Sequence, residues 1–128
     1  MKNLIDLIAR VLISTLFLVS ASNKIFNLES SMNWMKGFGV PGILIYPAIV
    51  IEIILPLLVI IGFKARFAAG LLAIFCMFTA FIFHFDFSDQ LQRISFLKNL
   101  GLAGGFLFIV VNGTKDWSMD KEKKFVRL

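Results

Sequence analysis

A chain of 128 residues that is 59% hydrophobic and only 16% charged is too apolar for a small water-soluble domain, which must cover itself with polar surface. The formal charge of +5 does not imply nucleic acid, because the basic residues sit at the ends of apolar runs rather than on one clustered face. Cys76 is the only cysteine, which excludes an internal disulfide and any dithiol chemistry by this chain alone.

What remains is an integral membrane protein of one domain, residues 1–128. Its apolar periodicity predicts an all-α fold: a four-helix transmembrane bundle with spans near 4–22, 43–62, 67–85 and 94–112, and a short interfacial helix between spans 1 and 2.

In the first span Arg10, Ser14, Phe17, Ala21 and Lys24 fall on one helical stripe, with Asn23 beside the last of them. Polar and small residues on an otherwise apolar helix mark a packing face. Lys2, the apolar run and Val19-Ser20-Ala21 also fit a secretory signal with a small-residue cleavage site. The charged entry with Asp6 and Arg10, together with the polar stripe, favours a retained span.

Residues 25–40 are mixed. Ile25, Leu28, Met32, Met35 and Phe38 recur at helical spacing among polar residues, as in a helix lying in the interface; a partly ordered loop is the alternative. Trp34 and Tyr46 suit headgroup depth, and Gly37, Gly39 and Pro41 turn the chain back into the membrane.

The second span carries Glu52 near its midpoint. A carboxylate at that depth must face protein, water or a partner, or else be protonated. Pro56, four residues later, removes the hydrogen bond to the Glu52 carbonyl, so a kink and a freed acceptor are expected there.

In the third span Ala69, Ala73, Met77, Ala80 and His84 share a face, and Phe75, Phe78, Phe81, Phe83, Phe85 and Phe87 surround its far end. These rings face lipid or pack, with stacking on an aromatic ligand as the sharper alternative. His84 lies near the water boundary, where a structural and a functional role are both open. A lone histidine offers no metal site. In the fourth span Lys98, Gly101, Gly105, Phe108 and Asn112 share a face, and Gly101 to Gly105 is a G-x-x-x-G spacing that predicts close helix approach.

The tail, 113–128, is basic and soluble, with Trp117 near the second interface. Lys2, Arg10, Lys64, Arg66, Lys115, Lys121, Lys123, Lys124 and Arg127 fall on one side of the bundle, against Lys24, Lys36, Arg93 and Lys98 on the other. The positive-inside rule then places both termini in the cytoplasm, in a multi-pass protein of a bacterial-type inner (plasma) membrane. Glu52 is expected to pair with Arg10 or Lys98, while Asn23, Lys24, His84 and Asn99 line a cavity open to the outer face. The alternative is that these residues only fix which helices pack together. The excess of positive charge would favour an anion or a polar carbonyl ligand.

Taken in order, Arg10, S-A-S-N-K ending at Lys24, G-V-P at Gly39 to Pro41, A-I-V-I-E ending at Glu52, I-G-F-K-A-R at Ile61 to Arg66, His84, K-N-L-G-L-A-G-G from Lys98 and the W-S-M-D that starts at Trp117 resemble the DoxX family. The resemblance to these small four-helix membrane proteins covers nearly the whole chain. Members look like subunits or partners of quinone-linked oxidoreductases, including thiosulfate-oxidising systems, and others are implicated in thiol and oxidative stress. Arg10, Lys24, Glu52, His84 and Lys98 match the family's recurrent polar positions, to which no established catalytic role is attached.

The leading expectation is a hydrophobic subunit that docks a redox partner and holds a quinone. His84 or a basic side chain would bond the quinone oxygens, and Glu52 would accept or relay a proton, which makes Glu52 and His84 the catalytic candidates. No flavin, haem or iron–sulfur ligation pattern occurs, so no intrinsic cofactor is expected and the chain is expected to be at most a non-autonomous subunit of a quinone-linked oxidoreductase. The alternatives are a carrier for a small anion or lipid headgroup, acting as a homo-oligomer if it transports, and a membrane anchor or assembly factor.

Overall fold

The computed structural model describes residues 1–119; the end of the expected tail, with Lys121, Lys123, Lys124 and Arg127, lies outside the described residues. The elements are α1 (Lys2–Phe26), α2 (Leu28–Lys36), a 3-10 turn (Gly42–Leu44), α3 (Ile45–Ile61), α4 (Ala65–Phe83) and α5 (Gln90–Asn112). The protein is an all-α membrane bundle: α1, α4, α5 and the unit formed by the turn with α3 are each long and apolar enough to cross a bilayer.

α1 continues to Phe26, past the expected end at residue 22, because Asn23-Lys24-Ile25-Phe26 ends the apolarity without containing a helix breaker. Asn27, at φ −128°, breaks the path, and the short amphipathic α2 follows with Met35 turned inward. α3 ends where Gly62 takes a left-handed φ of 74°, its N–H and that of Phe63 both bonding Leu58 O. Lys64, also left-handed, then starts α4 directly.

α1 packs on α3, α3 on α4, and α4 on α5. The ring closes between α5 and α1, where Phe17 meets Phe106 and Ile13 lies against Gly105. Small side chains on α4 permit the close approach: Ala65, Ala68, Ala69, Ala73 and Ala80 are buried, together with Leu72 and Cys76. Met77, expected on this face, is 39% exposed. The buried stripe steps from Ala73 to Cys76 to Ala80, following the helical period one position before Met77.

The G-x-x-x-G expectation also needs correction. Space around Gly101 is open, and of the two glycines Gly105 alone meets another helix. α5 buries Phe96, Ala103 and Phe106 instead, which leaves Phe108 exposed. The helix is rotated so that its phenylalanines fill the groove beside the alanine face of α4, and the glycine ridge points elsewhere.

One end of the bundle is closed by two arginines. Arg10, 1% exposed, donates through Nη1 to Val59 O (3.3 Å) and Ile60 O (2.6 Å), through Nη2 to Trp117 O (2.7 Å), and through Nε to Asp6 Oδ2 (2.9 Å). Arg66 Nη1 donates to Val110 O (2.7 Å) and Val111 O (3.0 Å). Each guanidinium therefore satisfies carbonyls in the last turn of a neighbouring helix, α3 or α5, where the helix dipole favours a cation. Residues 114–119 fold back over the same end: Lys115 N–H bonds Asp6, Asp116 N–H bonds Asn3, and Met119 N–H bonds Ile61 O.

Gly62 sits inside this knot. A Cβ there would collide with Ser118 Cβ and come within 3.2 Å of Arg10 Nη1, on a backbone that already disfavours side chains. Gly62→Ala is expected to destabilise the fold by about 1–3 kcal/mol. Thermal unfolding in mild detergent checks this, and an unchanged melting temperature would count against the close packing of residues 117–119 on the α3–α4 turn.

Candidate functional site

The site lies at the opposite end of the bundle. There the apolar core, which includes Val59, Ala69, Leu72, Cys76, Ala103 and Phe106, gives out. Phe17, tilted against Phe75 (6.4 Å between centroids) and Phe106 (5.6 Å), forms a floor. Above it a cavity of about 610 Å³ opens between all the helices, with α2 across its top. α2 is held there by Trp34, stacked on Phe83 at 4.7 Å with Phe38 edge-on at 4.9 Å.

Six of the seven sequence-selected polar residues line this cavity: Asn23, Lys24, Glu52, His84, Lys98 and Asn99. Arg10 does not, since its donors are used at the other end. Glu52 is 3% exposed and pairs with Lys24, whose Nζ lies 2.8 Å from Oε2 and 3.0 Å from Oε1. The expected partners, Arg10 and Lys98, are not used. Arg10 is committed to the end of α3, and Lys98 stands on α5, which is not a packing neighbour of α3.

Lys24 reaches Glu52 because helical side chains lean toward their own N-terminus, so its ammonium lies back over the preceding turn. On the way it donates to Ser20 Oγ at 3.0 Å, and Ser20 in turn donates to Glu52 Oε1 at 3.0 Å. Sequence reasoning missed this serine as a site residue. The available signal was its position four residues before Lys24 on the cavity side of α1.

His84 ends α4 and bonds Gln92 Oε1 through Nδ1 at 3.0 Å. The Gln92 amide can turn either its oxygen or its nitrogen to Nδ1, and the donor and acceptor roles follow the imidazole tautomer, so Nε2 is able to donate to another partner. The loop that follows is stiffened by Ser88, whose hydroxyl and N–H both donate to Asp86 Oδ1 and hold that exposed carboxyl below the ordinary carboxylate range. Its contribution to stability is present above the ordinary carboxylate pKa and fades as the pH falls through the lowered value.

The remaining walls are apolar and aromatic, including Leu16, Phe75, Phe78, Ile82 and Phe83, with Ser95 and Thr79 adding hydroxyls. Among the described residues no three His, Cys, Asp or Glu side chains converge to hold a metal ion. The arrangement suits a molecule with a polar head and an apolar or aromatic body.

Comparison with known proteins agrees with the architecture. Residues 5–85 match the DoxX family model, a stretch that includes Lys24, Glu52 and His84 but stops before Lys98. The chain is 35% identical to inner membrane protein YqjF of Escherichia coli, over 94% of this chain and 95% of that protein. It is 28% identical to inner membrane protein YphA of the same organism, over 90% and 87% respectively. A 32% match to a Surfeit locus protein 4 homolog of Schizosaccharomyces pombe covers 52% of this chain and 24% of that protein. No solved structure gives a significant match.

Replacing Glu52 by Leu strands the Lys24 ammonium beside an apolar wall. Lys24 is 24% exposed, so the loss should be about 1–3 kcal/mol rather than the larger cost of breaking a fully buried pair. Lys24→Met in the same chain should recover at least half of it. A double-mutant cycle on unfolding in detergent measures the coupling, and additive losses would show that the two side chains do not depend on each other.

Proposed function

Because the chain belongs to the DoxX family, we propose that it is an inner-membrane binding subunit that holds a quinone-type molecule for a redox partner. The observation that carries this reading is the amphipathic cavity: aromatic walls able to stack on a ring, with hydrogen-bonding groups gathered at one end. The ring lies among Phe75, Phe78 and Phe83, and the oxygens face His84, Asn99 and Lys98. Electrons enter from a cofactor on the partner, and Glu52 with Ser20 and Lys24 forms a polar chain beside the site that accepts or passes a proton.

The basic end of the bundle, with Lys2, Lys64, Arg66 and Lys115, faces the cytoplasm in this reading. Both described ends of the chain meet there through the Asp6, Asn3 and Arg10 contacts, so the cavity opens toward the outer half of the membrane.

A Trp117→Phe background leaves Trp34 as the reporter, since the chain has 2 tryptophans. In nanodiscs a short-tailed quinone should quench its emission saturably, and His84→Leu should weaken binding by about 3–10-fold, the value of one hydrogen bond. Unsaturable quenching, the same in both proteins, would mean simple partition into lipid. Mild-detergent purification from the native membrane should bring down a flavin, haem or iron–sulfur protein; repeated isolation without one removes the redox half of the reading. For orientation, a green fluorescent protein fused after the last residue should fluoresce, whereas a dark fusion beside an active periplasmic phosphatase fusion would invert the topology.

A further inference from the structure

Resting on the reading of the cavity as a quinone-type site, we propose that the occupant carries a single negative charge on its polar head, and that Lys98 selects for it. The charged side chains of the cavity are Lys24, Glu52 and Lys98. Glu52 and Lys24 neutralise each other, and both carboxylate oxygens are taken by Lys24, with Ser20 as a second donor to one of them. Lys98 is what remains, so the cavity carries one net positive charge.

Lys98 forms no ion pair among the described residues. α5 contains no Asp or Glu, and the acids just before it are engaged locally: Asp89 caps Leu91 N–H and Asp86 binds Ser88. Lys98 stands eight residues after Gln90, about 12 Å along the helix axis. An ammonium at that depth in a spanning helix needs water, a counter-charge or an escape to the interface. Its side chain lines the cavity rather than the lipid alone, which makes the cavity the place where a counter-charge arrives.

The neighbouring groups fit an oxyanion. Asn99 and Ser95 lie on the same turn of α5 and offer donors, while the Glu52 carboxylate, the one negative group in the cavity, is screened by its own ammonium. The aromatic wall takes the apolar body. In quinone terms the ligand is a ring with an ionised oxygen, as in an alkyl hydroxynaphthoquinone at neutral pH, rather than the uncharged methyl analogue.

Two probe pairs test this in nanodiscs of zwitterionic lipid, with binding to empty discs subtracted. One pair is an alkyl hydroxynaphthoquinone and its neutral methyl analogue; the other is a fatty carboxylate and the alcohol of equal chain length. The charged member of each pair should bind at least about tenfold more tightly, the value of one charge-assisted hydrogen bond. Lys98→Gln should bring both ratios close to one, and Lys98→Arg should keep them.

Equal binding within both pairs, or a preference unchanged in Lys98→Gln, overturns the charge inference and leaves the quinone reading standing. If neither quinone binds while the carboxylate still exceeds the alcohol in a Lys98-dependent way, the quinone reading fails and the charge inference holds.

Discussion

The upper half of this bundle depends on the ion pair between Glu52 and Lys24. A carboxylate 3% exposed in the middle of a spanning helix is almost cut off from solvent, and its counter-charge comes from within the protein. The chain supplies it from the next helix, through a side chain that runs down past Ser20. That path fixes how α1 sits on α3 at this level, and it places three polar groups on one wall of a space otherwise bounded by aromatic rings. Buried ion pairs are weak contributors to net stability but strong specifiers of arrangement in some proteins, and here the arrangement includes a cavity.

The two ends of the bundle solve the same electrostatic problem in opposite ways. At the basic end positive charge meets backbone: Arg10 and Arg66 donate to the terminal carbonyls of α3 and α5, and little space remains. At the other end one lysine meets a carboxylate and another meets nothing in the described chain. The first end is therefore built as a closure, and the second is left with unspent hydrogen-bonding capacity.

Much of this was legible in the sequence, for physical reasons that can be named. Long apolar runs have few uses other than spanning lipid, so the helices were readable from composition and period. The stripe of Arg10, Ser14, Phe17 and Ala21 on α1 is the set of residues the helix buries, because a polar or small residue on such a helix has to find protein. What could not be read was rotation and reach. Met77 misses the buried stripe of α4 by one position, and Gly101 lies on a plausible face of α5, but the phenylalanines of α5 turned that helix by their bulk. Arg10 and Lys24 are both long cations near Glu52 in projection. Only the meeting of α3's carbonyl end with Arg10 decides that Lys24 is the one to pair with it, and that contact depends on residues 49 and 50 positions away in the chain.

The Arg10 fork also carries a timetable. Its acceptors lie 4, 49, 50 and 107 positions further from it in sequence separation, at Asp6, Val59, Ile60 and Trp117. Asp6 emerges from the ribosome before the arginine does, so the first helix enters the membrane with its charge already answered. The α3 carbonyls become available once the second span has been made, and the last donor is filled only after residue 117 has been made. Insertion of a buried guanidinium is thereby divided into stages, none of which leaves the cation without a partner.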